Sequence, residues 1–284
     1  MRLWANRAEA ERLRTHLDFP DPASPSGKTW VWKHPYVDRH LPGHPGFDPA
    51  HAHLPVQDRP VAVAPGGPEL FPYGFLVRQE ADSTIRAHYH RLDQFQVFVG
   101  GDGRFGGAPA AGVLVHYANA WSAYGPIRSG AQGIDYFTLR AGWDKGAGWM
   151  PESAAQLRAV PGRQPRNLVY PPVEPWRAPD PAAARLTCLG SAADGVAAWV
   201  IDLADGQGVP TLAPAAGGGQ YWLVLQGELR WTDGALGPLG LLFLSRDEPA
   251  LAARAVGATQ AVVVQFARPA APDPAVATAA AQPA

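Results

Sequence analysis

Apolar and polar positions along this chain fall into short runs with a period of two, separated by turn-forming residues rather than by amphipathic helical stretches. Val61–Ala64, Leu70–Arg78, Ile85–His90, Phe95–Val99, Val113–Tyr117 and Ile134–Arg140 each read as an extended segment. Gly100 to Gly107 reads as a glycine-rich hairpin connection, and Ala118 to Gly133 as a long loop or bent pair. Ahead of these strands, Asn6 to Leu17 reads as a short charged helix with Leu13 and Leu17 on one face, and Asp18 to Ser26 as a turn. Thr29 to Val56 reads as an irregular arm carrying His34, His40, His44, His51 and His53. Prolines at 49 and 55 flank the His51/His53 pair and argue against sustained strand pairing there.

The pattern then restarts. Gly146 to Asp180 holds seven prolines and little periodicity, so it reads as an ordered connector. Gln220 is followed by Tyr-Trp-Leu-Val-Leu-Gln and Gly227, as Gln94 is followed by Phe-Gln-Val-Phe-Val-Gly and Gly101, at an offset of 126 residues. Gly112-Val-Leu-Val-His has a counterpart in Gly240-Leu-Leu-Phe-Leu at an offset of 128. Such a repeat implies a duplicated unit. The expected organisation is a helix and arm over 1–59, a first barrel over 60–145, a connector over 146–184, a second barrel over 185–268 and a disordered tail over 269–284.

Composition narrows the class. With 284 residues, 46% of them hydrophobic, the chain can bury a substantial core. Its 31 Gly and 30 Pro favour many short strands joined by turns, hence an all-β fold. The 24 basic and 25 acidic residues are spread along the chain, so nothing marks a nucleic-acid or membrane surface. The lone Cys188 forbids an internal disulfide and reads as a small buried apolar residue. Without an apolar leader or a run long enough to span a bilayer, a cytoplasmic location is expected.

The chemistry concentrates between Arg86 and Gly101. Side chains two apart in an extended chain point the same way, so His88 and His90 project together while Tyr89 faces the other side. Two hydrogen-bonded core histidines would give the same spacing. The surrounding residues, however, match a known pattern: Gly, five residues, His-x-His, three or four residues, Glu, six residues, Gly. His88 and His90 fit it, Gln94 stands at the Glu position, Gly101 closes it, and Asp82 replaces the opening Gly. In this the chain resembles the cupin superfamily, and its repeat resembles a bicupin with a degenerate C-terminal copy, because no histidine follows His116.

The resemblance implies two cupin-type antiparallel β-barrels (double-stranded β-helix or jelly-roll) with a short N-terminal helix. It also implies a mononuclear site for a divalent metal, with iron, manganese, nickel, copper and zinc not distinguished, held by His88, His90 and Gln94. Tyr124 occupies the position of the third histidine, and His116 is either a ligand or a core residue aligned with Leu244. Since Gln94 removes a negative charge, either an anionic substrate completes the shell or no tight metal binds. The first case implies an oxygenase-like enzyme acting on a small, anionic organic molecule. The second resembles a metal-free isomerase or epimerase in which His90 or His88 works with Tyr124 as an acid/base pair. A third reading is a non-catalytic bicupin that binds a small ligand. Arg86, Arg91 and Arg140 are candidate anion partners, and Arg86 is favoured because it shares strand parity with His88 and His90. Trp121, Trp143, Tyr136 and Phe137 are candidates for an apolar lining. The second copy is left to shape the pocket or to form the face of a homodimer.

Overall fold

The computed structural model describes residues 1–22, 24–39, 41, 47, 49–51, 71–142, 144, 146–180 and 182–269. In chain order its elements begin with β1 (Arg2–Ala5), α1 (Arg7–Arg12), β2 (Thr15–Pro20), β3 (Lys28–Val37), β4 (Tyr73–Gln79), β5 (Thr84–Ile85) and β6 (His88–Tyr89). The first half continues with β7 (Gln94–Phe105), β8 (Ala108–Pro109), β9 (Leu114–Ala118), β10 (Ile127–Arg140), β11 (Gly148–Trp149), α2 (Ala154–Arg158) and β12 (Asn167–Val169). The second half holds β13 (Arg185–Ser191), β14 (Ala197–Leu203), β15 (Gln220–Trp231), β16 (Gly234–Leu236), β17 (Leu241–Leu244) and β18 (Arg254–Gln265). Among the described residues strands predominate and the two α-helices are short, so the fold is all-β.

Two large antiparallel sheets carry the architecture. The first runs β12-β9-β7-β10-β4-β3-β2 with β5 and β8 attached, and the second runs β1-β17-β15-β18-β14-β13 with β16 attached. The N-terminal strand therefore crosses to the second sheet, where Arg2 to Ala5 pair with Leu244 to Leu241.

Because strand side chains alternate between faces, each sheet serves two cores. Phe95, Val97, Tyr117, Phe137 and Leu139 of the first sheet meet Tyr221, Leu223, Leu241, Phe243 and Val262 of the second in one shared core. Gly74 sits at this contact, and a β-carbon there would lie 2.9 Å from a Leu241 methyl. The opposite face of the second sheet packs on itself through Trp222, Val224, Leu242 and Val263. On the opposite face of the first sheet, Val77, Ile85, Phe98 and Tyr136 pack at one end. The polar residues Gln94, Gln96, Thr138 and Arg140 share the parity of Phe98 and Tyr136 on the same strands, and this is the face that carries the site.

The registers of the two sheets correspond. Gln94, Gln96 and Phe98 pair with Arg140, Thr138 and Tyr136, just as Gln220, Trp222 and Val224 pair with Gln265, Val263 and Ala261. Gly101 and Gly227 both adopt positive φ, 78° and 72°, where the strand bulges against its partner and a β-carbon would strike backbone.

Several sequence expectations are corrected. The helix ends at Arg12, and Thr15 to Pro20 form an edge strand on which Leu17 and Phe19 share one face. Lys28 to Val37, expected to be irregular, is a ten-residue strand; Thr29, Val31 and Lys33 alternate with Trp30, Trp32 and His34, and the register shifts at Pro35. The connector contributes β11 and β12, which pair with β6 and β9. Cys188 is exposed on the edge strand β13 rather than buried. By register, His116 corresponds to Leu242, since His116 opposes Gln96 and Leu242 opposes Trp222. The equivalence with Leu244 suggested by the glycine spacing is two residues off. The strand expected at Val61–Ala64, the start of that expected at Leu70, His40, His44, the His51/His53 side chains, Trp143 and the tail from 270 lie outside the described residues.

Candidate functional site

Backbone pairing brings the site together. The amide of His88 donates to the carbonyl of Tyr124 at 3.1 Å and the amide of Tyr124 donates back to His88 at 2.9 Å, so the two side chains are cross-strand neighbours on one face. Trp121 donates its amide to the carbonyl of His90 at 2.7 Å and extends the pairing. Gln94 begins β7 directly opposite Arg140, the last residue of β10. His88, His90, Gln94 and Tyr124 thus converge, and Arg140 joins them.

Donor and acceptor chemistry fixes the orientation of each group. A guanidinium only donates, so Arg140 Nε, 2.9 Å away, faces the oxygen Oε1 of Gln94, and the Gln94 amide nitrogen is left to donate to the Tyr124 hydroxyl. His88 Nδ1 lies 2.7 Å from the carbonyl of Arg86, which only accepts, so Nδ1 carries the proton. His88 Nε2 is then an acceptor and receives the Tyr124 hydroxyl at 2.8 Å. His90 Nε2 lies 2.9 Å from Arg140 Nη2 and accepts from it, which puts the His90 proton on Nδ1, 3.5 Å from Asp144. Asp144 in turn receives the amides of Arg91 at 2.8 Å and Gly146 at 2.6 Å.

His88, His90, Tyr124, Arg140 and Asp144 border a cavity of about 360 Å³ walled by β3, β4, β7 and β10 and capped by β2 and β11. Burial, and the neighbouring histidine, push His88 down to about 3; burial and Arg140 push His90 down to about 4, so both rings are neutral. Burial raises the Tyr124 phenol well above its ordinary range and keeps it protonated. At Asp144, burial acting to raise the carboxyl is outweighed by His90, Arg140 and the Gly146 amide, which hold it ionised. Lys33 also faces the cavity; burial alone would lower its ammonium, but Tyr73 and Asp38, the latter 3.2 Å away, hold it above the usual range.

The donor set can be tested against the divalent metal that the resemblance implies. The two imidazole lone pairs a metal would use are engaged, one by a phenol and the other by a guanidinium. Gln94 offers a neutral oxygen that already accepts from Arg140. Among the described residues no three His, Cys, Asp or Glu side chains converge. A dication about 4 Å from the guanidinium would be repelled by about 8 kcal/mol at an effective dielectric of about 20. These residues do not fit a divalent ion: the arginine supplies the positive charge at the place where one would sit.

Arg86, the expected anion partner, is turned away. The extended chain breaks between β5 and β6, and the Arg86 guanidinium lies over the Trp149 ring with Nη1 2.7 Å from Glu152. Arg91 lies over Trp121, and Phe137 faces the core between the sheets, whereas Tyr136 lines the cavity. His116 lies behind the cavity wall, with Nδ1 3.1 Å from Gln96 Oε1. Sequence reasoning missed Asp144 and Lys33, and ranked Arg140 behind Arg86. For Arg140 a signal was present, since it ends the closing strand with the parity of Tyr136; Asp144 lies in a loop and carried none.

No family model and no curated protein matches the sequence. Solved structures do match by fold. A crystal structure of a putative dioxygenase from Nostoc punctiforme aligns over 94% of this chain and 83% of its own, at 9% identity and a TM-score of 0.59. Streptomyces albus HEPD, solved with 2-hydroxyethylphosphonate and Fe(II) bound, aligns over 99% of this chain and 79% of its own, at 13% identity and a TM-score of 0.54. A bacterial pirin from Escherichia coli in complex with nickel(II) aligns over 94% of this chain and all of its own, at 12% identity and a TM-score of 0.51. At such identities the likeness speaks for architecture. The likeness shows the fold: this chain has the two-sheet, all-β architecture of these proteins, the one that the cupin-like His88, His90, Gln94, Gly101 spacing implies.

Proposed function

We propose that the cavity of the first sheet is a metal-independent acid/base site for a small organic anion, with Arg140 as the anion receptor. One observation carries the reading: the Arg140 guanidinium bonds directly to Gln94 and His90, two of the residues the resemblance assigns to a metal. Arg140 is 6% exposed, and no described carboxylate lies within 4 Å of it. A buried cation in that position is stabilised when a ligand brings the missing negative charge. Two of its five N–H groups are committed to Gln94 and His90, and the remaining three are available to a carboxylate.

Tyr124 and His88 then form the proton-transfer pair. His88 Nε2 is a neutral acceptor fixed in its tautomer by the Arg86 carbonyl, and the Tyr124 O–H is a neutral donor held by Gln94. His90 is committed to Arg140 and positions it, so His88 rather than His90 is the base. An anion on Arg140 offsets the charge that, after burial, helps to hold the imidazoles neutral, and so raises their basicity. The reaction class this supports is removal and return of a proton on carbon next to a carboxylate, with the electron pair left on that carbon spread onto carboxylate oxygens bonded to Arg140.

The test is exchange of carbon-bound protons of small carboxylates in D2O, followed by NMR. Exchange that survives chelator, and is lost in Tyr124→Phe and His88→Gln, is the expected result. Exchange abolished by chelator and restored by a divalent ion, together with near-stoichiometric metal in protein made without an affinity tag, would overturn it in favour of a metal-dependent oxygenase-like site.

A further inference from the structure

The cavity wall carries its cations in the body of the sheet and is mostly apolar at the cap. The body of the sheet presents Arg140, Thr138 and Tyr136 on β10 and Lys33 on β3 beside the apolar Phe75 and Val77 on β4, while Leu17 and Phe19 on β2, Ile85 on β5 and Trp149 on β11 make the cap apolar apart from Asp18, which is paired with Lys28. The two cap aromatics touch, with the Phe19 and Trp149 ring centroids 5.8 Å apart at a steep angle, and Trp149 stands 5.1 Å from the His88 ring. An apolar cap therefore lies directly over the proton-transfer pair.

Charge decides how many anionic groups the ligand brings. Lys33 already has the buried Asp38 carboxylate 3.2 Å away and the Tyr73 hydroxyl beside it. Among the described residues Arg140 has no carboxylate in contact: Asp144 acts on it across the His90 ring, with its oxygens taken by backbone amides. One cation thus awaits a counter-charge, and a second carboxylate at Lys33 would have to compete with Asp38. The remaining length of the cavity runs toward Phe19 and Trp149, where a charged end would be desolvated without a partner.

Resting on the anion-receptor reading above, we infer that the ligand class is a monocarboxylate with an apolar tail, aryl or alkyl. Its head lies on Arg140 and its tail against the Phe19 and Trp149 rings. The edge strand β2 is then the specificity element, and residue 19 the position that sets how large a tail is accepted. Phe19 is half-buried on the outermost strand, so it can be truncated with little cost to the fold.

The full chain is titrated with the sodium salts of acetate, hexanoate, phenylacetate and glutarate, by calorimetry and by thermal shift. Hexanoate or phenylacetate is expected to bind at least ~10-fold tighter than acetate, since even two buried methylenes are worth that much, and glutarate more weakly than hexanoate. Phe19→Ala and Trp149→Leu each reduce that preference several-fold while leaving the acetate affinity in place, and Arg140→Gln removes binding of all four. If acetate binds as tightly as hexanoate, or glutarate more tightly than either, and Arg140→Gln still abolishes binding, the apolar-tail inference is overturned and the anion receptor stands. If none of the four binds, or binding ignores Arg140→Gln, the receptor reading falls as well.

Discussion

The two sheets share a register and differ in what fills the space in front of them. At matched positions the first sheet places Gln94, Gln96, Thr138, Tyr136 and Arg140, and the second places Gln220, Trp222, Val263, Ala261 and Gln265. Trp222 is fully buried, and its indole donates to Gln220 at 3.1 Å, so one large side chain occupies the second sheet's interior where the first has a cavity. Both glutamines are satisfied, Gln94 by Arg140 and Tyr124 and Gln220 by Gln265 and Trp222. A glutamine at this position is thus compatible with either a ligand site or a packed core, and its strand partner decides which. The second sheet still serves the first, because the Tyr221 hydroxyl donates to the carbonyl of Arg140 at 2.9 Å.

Four experiments test this contrast, given in order of decreasing effect. Trp222→Ala should cost about 3–5 kcal/mol of stability in a urea titration, yet leave carboxylate affinity within about twofold, because the two interiors are separate. A large loss of binding in that variant would show that the second interior shapes the pocket. Arg140→Gln, which gives the first sheet the residue type of position 265, should lower carboxylate affinity at least ~100-fold, about 2.7 kcal/mol, with little loss of stability, since it removes a buried unpaired charge.

Acid should act on the first sheet. Burial depresses His88 to about 3, His90 to about 4 and His116 to about 3, while the unfolded chain titrates at about 6.5. Between those values the unfolded state binds more protons, so stability is full above about pH 6.5 and declines as pH falls toward 4. Each such histidine contributes up to about 1.4 kcal/mol per pH unit. Urea midpoints at pH 7, 6 and 5 measure the slope, and His116→Leu should reduce it by roughly one histidine's share; an unchanged slope would mean that His116 is not buried neutral. The smallest effect is that of Tyr221→Phe, expected to cost about 1 kcal/mol of stability and to weaken carboxylate binding a few-fold by loosening the Arg140 backbone. Equal affinity in that variant would uncouple the second sheet from the site.

How legible the site was depended on where each residue lies. The His88/His90 pair and its convergence with Gln94 and Tyr124 follow from local spacing and a motif, because strand parity survives folding wherever a strand is unbroken. Parity failed for Arg86, since the chain breaks between β5 and β6 and the intervening residues no longer alternate. Asp144 reaches His90 from a loop, and Lys33 comes from a strand whose tryptophan-rich pattern interrupted by Pro35 read as irregular. The β1 crossover into the second sheet had no local signature at all.

Reading along the chain is enough for the strand-rich architecture, the repeat at an offset of 126 residues, and the placing of every histidine in the first half. These are local or periodic properties, written in side-chain alternation and turn residues. Folding alone brings Arg140 among the expected metal ligands, turns Arg86 outward, and fills the opposite interior with Trp222. The physical reason is register: which side chain meets which across a sheet depends on pairing between strands dozens of residues apart. Periodicity names the face a residue occupies but not its partner there.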